Sequence, residues 1–178
     1  MEITGDKFNS LKVLESIHAD AVEDPRYLDS PFLPLKRLSS KKKGARMEEV
    51  LEEVLKEMLF EVTPAGNTAW DRNIANKRVE IKGSFMWEDL EVFQWSQIRA
   101  NDDYEYLAIM AFYPDRCEVY ACDKATVIKH LQIQDEQGHW THNQHNGKKV
   151  ESADTFSMRG VPSDFPWMKP FLEVFPLP

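Results

Sequence analysis

The chain lacks any run of about twenty apolar residues, and its N-terminus carries no secretory apolar core. It therefore offers no membrane-spanning helix and no export leader, and a cytoplasmic location is the expectation. Cysteine is scarce, with only Cys117 and Cys122 among 178 residues. Five residues apart, in a run that reads as a strand and its exit, they do not face each other easily. Packed thiols in a reducing compartment are expected rather than a disulfide framework. Positive charge is also in short supply: 22 Lys and Arg stand against 30 Asp and Glu, a net charge of −8. That excludes a protein held to nucleic acid by bulk charge. Any such surface has to be local, or has to rely on a bound cation to offset the repulsion of phosphate.

What is present describes one soluble globular domain, since 178 residues with 42% hydrophobic content can bury a substantial core. The stretch around which the rest is arranged runs from Trp70-Asp71 to Arg78-Val79-Glu80-Ile81-Lys82-Gly83-Ser84. Read as a strand, residues 78–82 put Glu80 and Lys82 on one face and Val79 and Ile81 on the other. The polar segment Arg72 to Lys77 reads as a turn between two short extended runs, and a hairpin there folds Asp71 back beside Glu80. Two carboxylates with an ammonium one step along the same face suit a hard, oxygen-liganded cation such as Mg²⁺.

Upstream, Gly5 to Val22 shows an apolar stripe at helical spacing, and Arg26 to Ser40 reads as a proline-bearing arm laid on the core. Lys36 and Arg37, then Lys41, Lys42, Lys43 and Arg46, form the densest basic cluster of this acidic chain. It is either a solvated charge run or a DNA contact. A helix is predicted from about Arg46 to Phe60, with Met47, Val50, Leu51, Val54, Leu55, Met58 and Leu59 in one arc. Glu48 falls inside that arc and Glu52 at its edge. A carboxylate aimed at a core is costly unless paired, by a metal or by Lys82; the alternative is a first-turn glutamate favoured by the helix dipole.

Downstream, Glu88 to Ala100 carries Leu90, Phe93, Gln94, Gln97 and Ile98 and predicts a second helix. Gln97 is a secondary candidate to hydrogen-bond water or phosphate there, or else an ordinary exposed residue. Tyr104 to Tyr113 reads as a strand buried on both faces, Cys117 to Cys122 as its returning partner, and Asp123-Lys124 as the cap of a helix through about Leu131. The fold class is thus α/β or α+β, a central mixed sheet flanked by helices. Beyond Leu131, His139, His142 and His145 recur every three residues, and Asn146-Gly147 suggests a hairpin turn. Strand alternation sets consecutive histidines on opposite faces and no cysteine lies near, which argues against zinc. His142, Asn143 and His145 are better read as loop residues available to DNA, or as part of a simply solvated loop, and the aromatics of residues 165–171 as a tail over the sheet.

A helical Glu48, then Asp71, then Glu80-Ile81-Lys82-Gly83-Ser84, then Phe93-Gln94-Trp95-Ser96-Gln97-Ile98-Arg99 and a tyrosine-rich strand (Asp103-Tyr104-Glu105-Tyr106-Leu107): this order resembles the PD-(D/E)XK nuclease superfamily, type II restriction endonucleases in particular. Trp70 stands where the family name has proline. The resemblance spans about residues 44–131, the nuclease-like core of a single domain. An N-terminal helical arm (1–43) precedes it and a C-terminal loop and aromatic extension (132–178) follows. It implies a restriction-endonuclease-like core and Mg²⁺, with Mn²⁺ able to substitute, bound by Asp71, Glu80, the Ile81 carbonyl and Glu48. Lys82 then orients or deprotonates the attacking water. The implied partner is double-stranded DNA, met by a homodimer if the target is palindromic, with no membrane and no organic cofactor. A structure-specific or repair nuclease, or a non-catalytic binding module on the same scaffold, are the alternatives.

Overall fold

The computed structural model describes residues 1–5, 24–87, 91–131, 144–145, 148–149 and 155–178. The helix expected over Gly5 to Val22 falls, apart from its first residue, outside them. Eleven strands are described: β1 (Glu2–Thr4), β2 (Val62–Pro64), β3 (Arg72–Ile74), β4 (Lys77–Phe85), β5 (Phe93–Arg99), β6 (Tyr106–Phe112), β7 (Arg116–Asp123), β8 (Gln144–His145), β9 (Lys148–Lys149), β10 (Thr155–Gly160) and β11 (Lys169–Pro170). The α-helices are α1 (Leu33–Lys36), α2 (Ser40–Glu57), α3 (Lys124–Leu131) and α4 (Phe171–Val174). The main sheet has the order β1-β7-β6-β4-β3-β2, with β11 also on the outer edge of β7. It is mixed, since β4 and β6 run parallel while every other pair is antiparallel.

The sheet is covered on both sides, and β6 shows why its sequence is apolar throughout. Ala108, Met110 and Phe112 enter one core; Leu107, Ile109 and Ala111 enter the other. The first core lies under α2, the Tyr27 to Leu35 arm and α4. The second lies under β5, β10 and α3. The two cysteines are likewise divided, Cys117 in the first core and Cys122 in the second, both free thiols. The arm is tied down by Tyr27, whose buried hydroxyl donates to the Phe112 carbonyl at 2.6 Å. Asp123 caps α3 as the sequence predicts, its carboxylate accepting from the Thr126 N–H at 2.9 Å. The C-terminal aromatics divide as the cysteines do: Phe171 and Phe175 stack in the first core while Phe165 and Trp167 pack against the second. Gln144–His145 and Lys148–Lys149 pair antiparallel; the turn expected at Asn146-Gly147 lies outside the described residues. No helix among the described residues is long and apolar enough to cross a membrane.

Three expectations are corrected. The second helix, predicted over Glu88 to Ala100, is instead strand β5 from Phe93, paired antiparallel with β10. Its buried residues are Phe93, Trp95 and Ile98. Between Trp95 and Ile98 the strand holds one residue more than β10 does, a bulge centred on Gln97, whose φ is +61°. The bulge breaks the two-residue alternation, and the resulting spacing imitates a helix. The first helix, in turn, starts at Ser40 rather than Arg46, because the lysines before Gly44 are good helix formers and Gly44 itself is exposed to solvent.

The same helix ends before Leu59, which is 81% exposed rather than part of the apolar arc. Leu59 closes α2 in the left-handed region at φ +68°. The Phe60 N–H donates to the Leu55 carbonyl and the Leu59 N–H to the Lys56 carbonyl, both at 3.0 Å, which is the Schellman pattern normally given to glycine. A leucine there carries the steric cost of that conformation with no burial in return. Leu59→Gly is expected to stabilise the fold by about 0.5–1 kcal/mol after the entropy cost of glycine, read as a rise of roughly 2 °C in Tm.

Candidate functional site

The hairpin that organises the site forms as its sequence demands. Ala75 and Asn76 both take positive φ, 48° and 61°, the pair needed for a tight two-residue turn. β3 is only three residues long against nine for β4. The two strands therefore pair from Ile74↔Lys77 to Arg72↔Val79 and then part. Asp71 sits where they fork. Its N–H still donates to the Val79 carbonyl at 3.1 Å, and its carboxylate Oδ2 then replaces the lost strand by accepting from the Ile81 N–H at 2.7 Å. Because N–H and C=O of one strand residue point to the same side, the Ile81 carbonyl faces this fork as well.

Glu80 and Lys82 project to the face opposite Val79 and Ile81, and the Lys82 ammonium is ion-paired with Glu80. Glu80 is 6% exposed. Burial, and then the charge of Asp71, push its carboxyl up to about 7 against the opposing pull of Lys82. Glu48, on α2, is pushed up to about 7 by the same two causes, burial first and Asp71 second. Asp102 and Tyr104 flank Glu80 from the segment before β6. The Tyr104 hydroxyl is buried and has no hydrogen-bond partner among the described residues.

One residue that the sequence reading passed over holds the helix side of the site. Arg72 donates through Nη1 to Glu48 at 3.0 Å and through Nε to Glu52 at 2.7 Å, and also to the Asp71 carbonyl at 2.8 Å. The expected partner of Glu48 was Lys82 or a metal; here it is this guanidinium. Arg72 opens strand β3, since the turn expected over Arg72 to Lys77 is confined to Ala75 and Asn76, and only the fold brings that strand under α2. Gly83 sets the spacing on the same side. A Cβ there would stand 3.3 Å from the Met47 Cβ and far inside the Met47 sulfur, so α2 rests on β4 only because residue 83 has no side chain.

Beyond the fork no strand of the described residues pairs with the outer edge of β4, and this open edge is the floor of a cleft of about 770 Å³. Glu48, Gly44, Lys43 and Lys36 lie on one wall, and Gln94, Ser96 and Gln97 of β5 on the other. Gln97 is therefore not on a helix, but the bulge does aim it at the cleft. The basic cluster divides: Lys43 and Lys36 line the cleft, Arg46 is ion-paired with Glu49, and Lys41 and Lys42 are exposed on α2 outside the lining. His142 and Asn143 lie outside the described residues, and His145 is described only as part of β8.

The donor set suits a hard divalent cation. It offers carboxylates of Asp71, Glu80 and Glu48 with the Ile81 carbonyl, two of these acids pushed toward neutrality by burial and by the Asp71 charge, and an orphan hydroxyl beside them. Among the described residues, however, no three acids, histidines or cysteines are already gathered as a ready cage. Glu80 is turned to Lys82 and Glu48 to Arg72, so loading requires both to turn inward. Neither a protein-family model nor a curated protein matches the chain.

The raised acids make a stability prediction for the metal-free protein. A carboxyl whose folded value exceeds its unfolded one holds its proton more tightly when folded. Stability is then highest in acid and falls as pH rises from the ordinary carboxyl range through about 7. Chemical denaturation in EDTA should show a loss of roughly a few kcal/mol between pH 5 and pH 8, shrinking when Mg²⁺ is added at the higher pH.

Proposed function

We propose that the chain is a metal-dependent nuclease of the PD-(D/E)XK kind, hydrolysing phosphodiester bonds of double-stranded DNA with Mg²⁺, in the manner of a type II restriction enzyme. The observation that carries this reading is the fork at Asp71, where one carboxylate, the Ile81 carbonyl edge and the Glu80/Lys82 pair converge beside an open cleft. Asp71, Glu80 and the Ile81 carbonyl would hold the ion, with Glu48 joining directly or through water. When bound, the ion neutralises charge developing on the phosphate and lowers the pKa of water. Lys82, released from Glu80, positions the attacking water on the cleft side. Arg72 keeps Glu48 and Glu52 ordered, and Gly83 keeps Glu48 at working height over β4.

A second reading is favoured by the existing ion pairs: a non-catalytic nucleic-acid or interaction module in which Glu80–Lys82 and Glu48–Arg72 are simply paired charges. Plasmid DNA with purified protein separates the two. Discrete fragments that need Mg²⁺ or Mn²⁺ and vanish in Lys82→Ala support the nuclease; no cutting, or diffuse nicking indifferent to that substitution, overturns it. Sequencing the fragment ends tells a sequence-specific enzyme, expected as a two-fold dimer on a palindrome, from a structure-specific one.

A further inference from the structure

The end of the cleft away from the carboxylates has a chemistry of its own. Lys36 and Lys43 both hold their ammonium groups over the ring of Phe85, at 5.2 and 5.4 Å from its centroid. Lys36 shares Asp24 with Arg26, whereas no carboxylate among the described residues pairs with Lys43. Burial and the neighbouring Lys36 charge together hold the Lys43 ammonium below its usual range, in a chain of net charge −8. Lys36 is already matched by Asp24, which also lines this end of the cleft, so an anion here would relieve Lys43.

The floor at this end is the open edge of β4. Ile81 already gives its N–H to Asp71 and Met86 gives its own to Phe112, on opposite edges of the strand. The alternation therefore turns the N–H groups of Gly83 and Phe85 outward into the cleft, about 6.6 Å apart by strand geometry. That spacing is comparable to the distance between neighbouring phosphates along one nucleic-acid strand.

At the lip stands Trp87, 45% exposed. Its backbone is pinned on both sides by bonds with Val92 (2.8 Å) and Glu91 (3.2 Å). The Arg159 guanidinium lies over its ring at 5.1 Å, so a stacking partner would take the other face. A half-exposed indole beside cationic groups is a platform for an unpaired base, because a base inside a duplex has no free face to offer. The cleft volume, about 770 Å³, is in the range of small-ligand sites of roughly 300–1,000 Å³.

We infer that this half of the cleft is a subsite for unpaired nucleotides next to the bond to be cut, with Lys36, Lys43 and the β4 edge taking the phosphates and Trp87 the base. The inference rests on the nuclease reading only for the ligand being nucleic acid. It adds to the duplex cut at the metal site a neighbouring single-stranded portion of the same DNA, such as an overhang, flap or opened segment.

The test is fluorescence anisotropy in EDTA with the full chain, using a short labelled single strand, a duplex bearing that strand as an overhang, and a blunt duplex. The first two are expected to bind at least about tenfold tighter than the blunt duplex. Trp87→Ala should cost about five- to a hundredfold on those two alone. Lys43→Ala should flatten the slope of log affinity against log salt by about 0.7. A blunt duplex bound as tightly as the single strand, or Trp87→Ala without effect on either, overturns the inference. No metal is present in this assay, so it can fail while plasmid cutting succeeds, or hold while cutting fails. Both side chains reach solvent, and an unchanged Tm for each variant keeps the binding loss attributable to the subsite.

Discussion

Asp71→Asn is expected to lower DNA cutting by at least about a thousandfold and to leave the metal-free protein as stable as before, or more so. The amide oxygen still accepts from the Ile81 N–H, so the hairpin fork keeps its closure. What disappears is one negative charge beside two acids that already strain against it. Asp71 is a named cause of the upward push on both Glu48 and Glu80. Removing its charge should let both ionise more easily, and in EDTA at pH 8 that is worth roughly 1 kcal/mol of added stability. In the same variant, the heat of Mg²⁺ binding should fall away in calorimetry, since the ligand nearest the Ile81 carbonyl has lost its charge. Activity lost together with stability would mean that Asp71 serves the fold alone. Activity retained would remove it from the chemistry.

Arg72→Ala is expected to have the largest effect on stability. The guanidinium is 13% exposed and satisfies Glu48, Glu52 and a backbone carbonyl at once. Its loss strands Glu48 and leaves Glu52 with Lys56 alone, a cost of about 2–4 kcal/mol, or a fall of roughly 5–12 °C in Tm. The deficit should shrink at pH 5, where Glu48 takes up a proton and no longer needs a cation. Arg72→Lys should rescue little, because one ammonium cannot span two carboxylates as the planar fork does. A loss below about 0.5 kcal/mol would class Arg72 with ordinary surface pairs.

These two residues mark how far the sequence carries. Asp71 was legible because its relation to Glu80 depends on local rules: a two-residue alternation, a turn of polar residues, and a separation that a hairpin converts into adjacency. The buried strand β6 was legible for a similar reason, since an uninterrupted apolar run of strand length has few other homes. Arg72 was not legible. Its partners lie 20 and 24 residues earlier, on a helix whose approach is fixed by Gly83 and Met47, and no spacing rule encodes that meeting. β5 misled because Gln97 adds one residue to the strand and shifts the phase of its apolar positions, so that Phe93, Gln94, Gln97 and Ile98 count like a helix. The start of α2 misled because Gly44 looked like a boundary, though an exposed glycine interrupts a helix only at modest cost.

The strand that replaced a predicted helix changes what the C-terminal segment is for. β5 has left the main sheet, and its ladder partner is β10, contributed by the chain some sixty residues later. The wall bearing Gln94, Ser96 and Gln97 is thus propped from behind by residues 155–160. A fragment stopped at Leu131 would keep all four residues proposed to hold the ion and still lose its shape on that side. It would also bare a row of unmatched amides along an aromatic ribbon, a surface prone to self-association. The minimal folding unit is for that reason longer than the motif-bearing stretch, and any truncation meant to isolate the chemistry has to carry β10 with it.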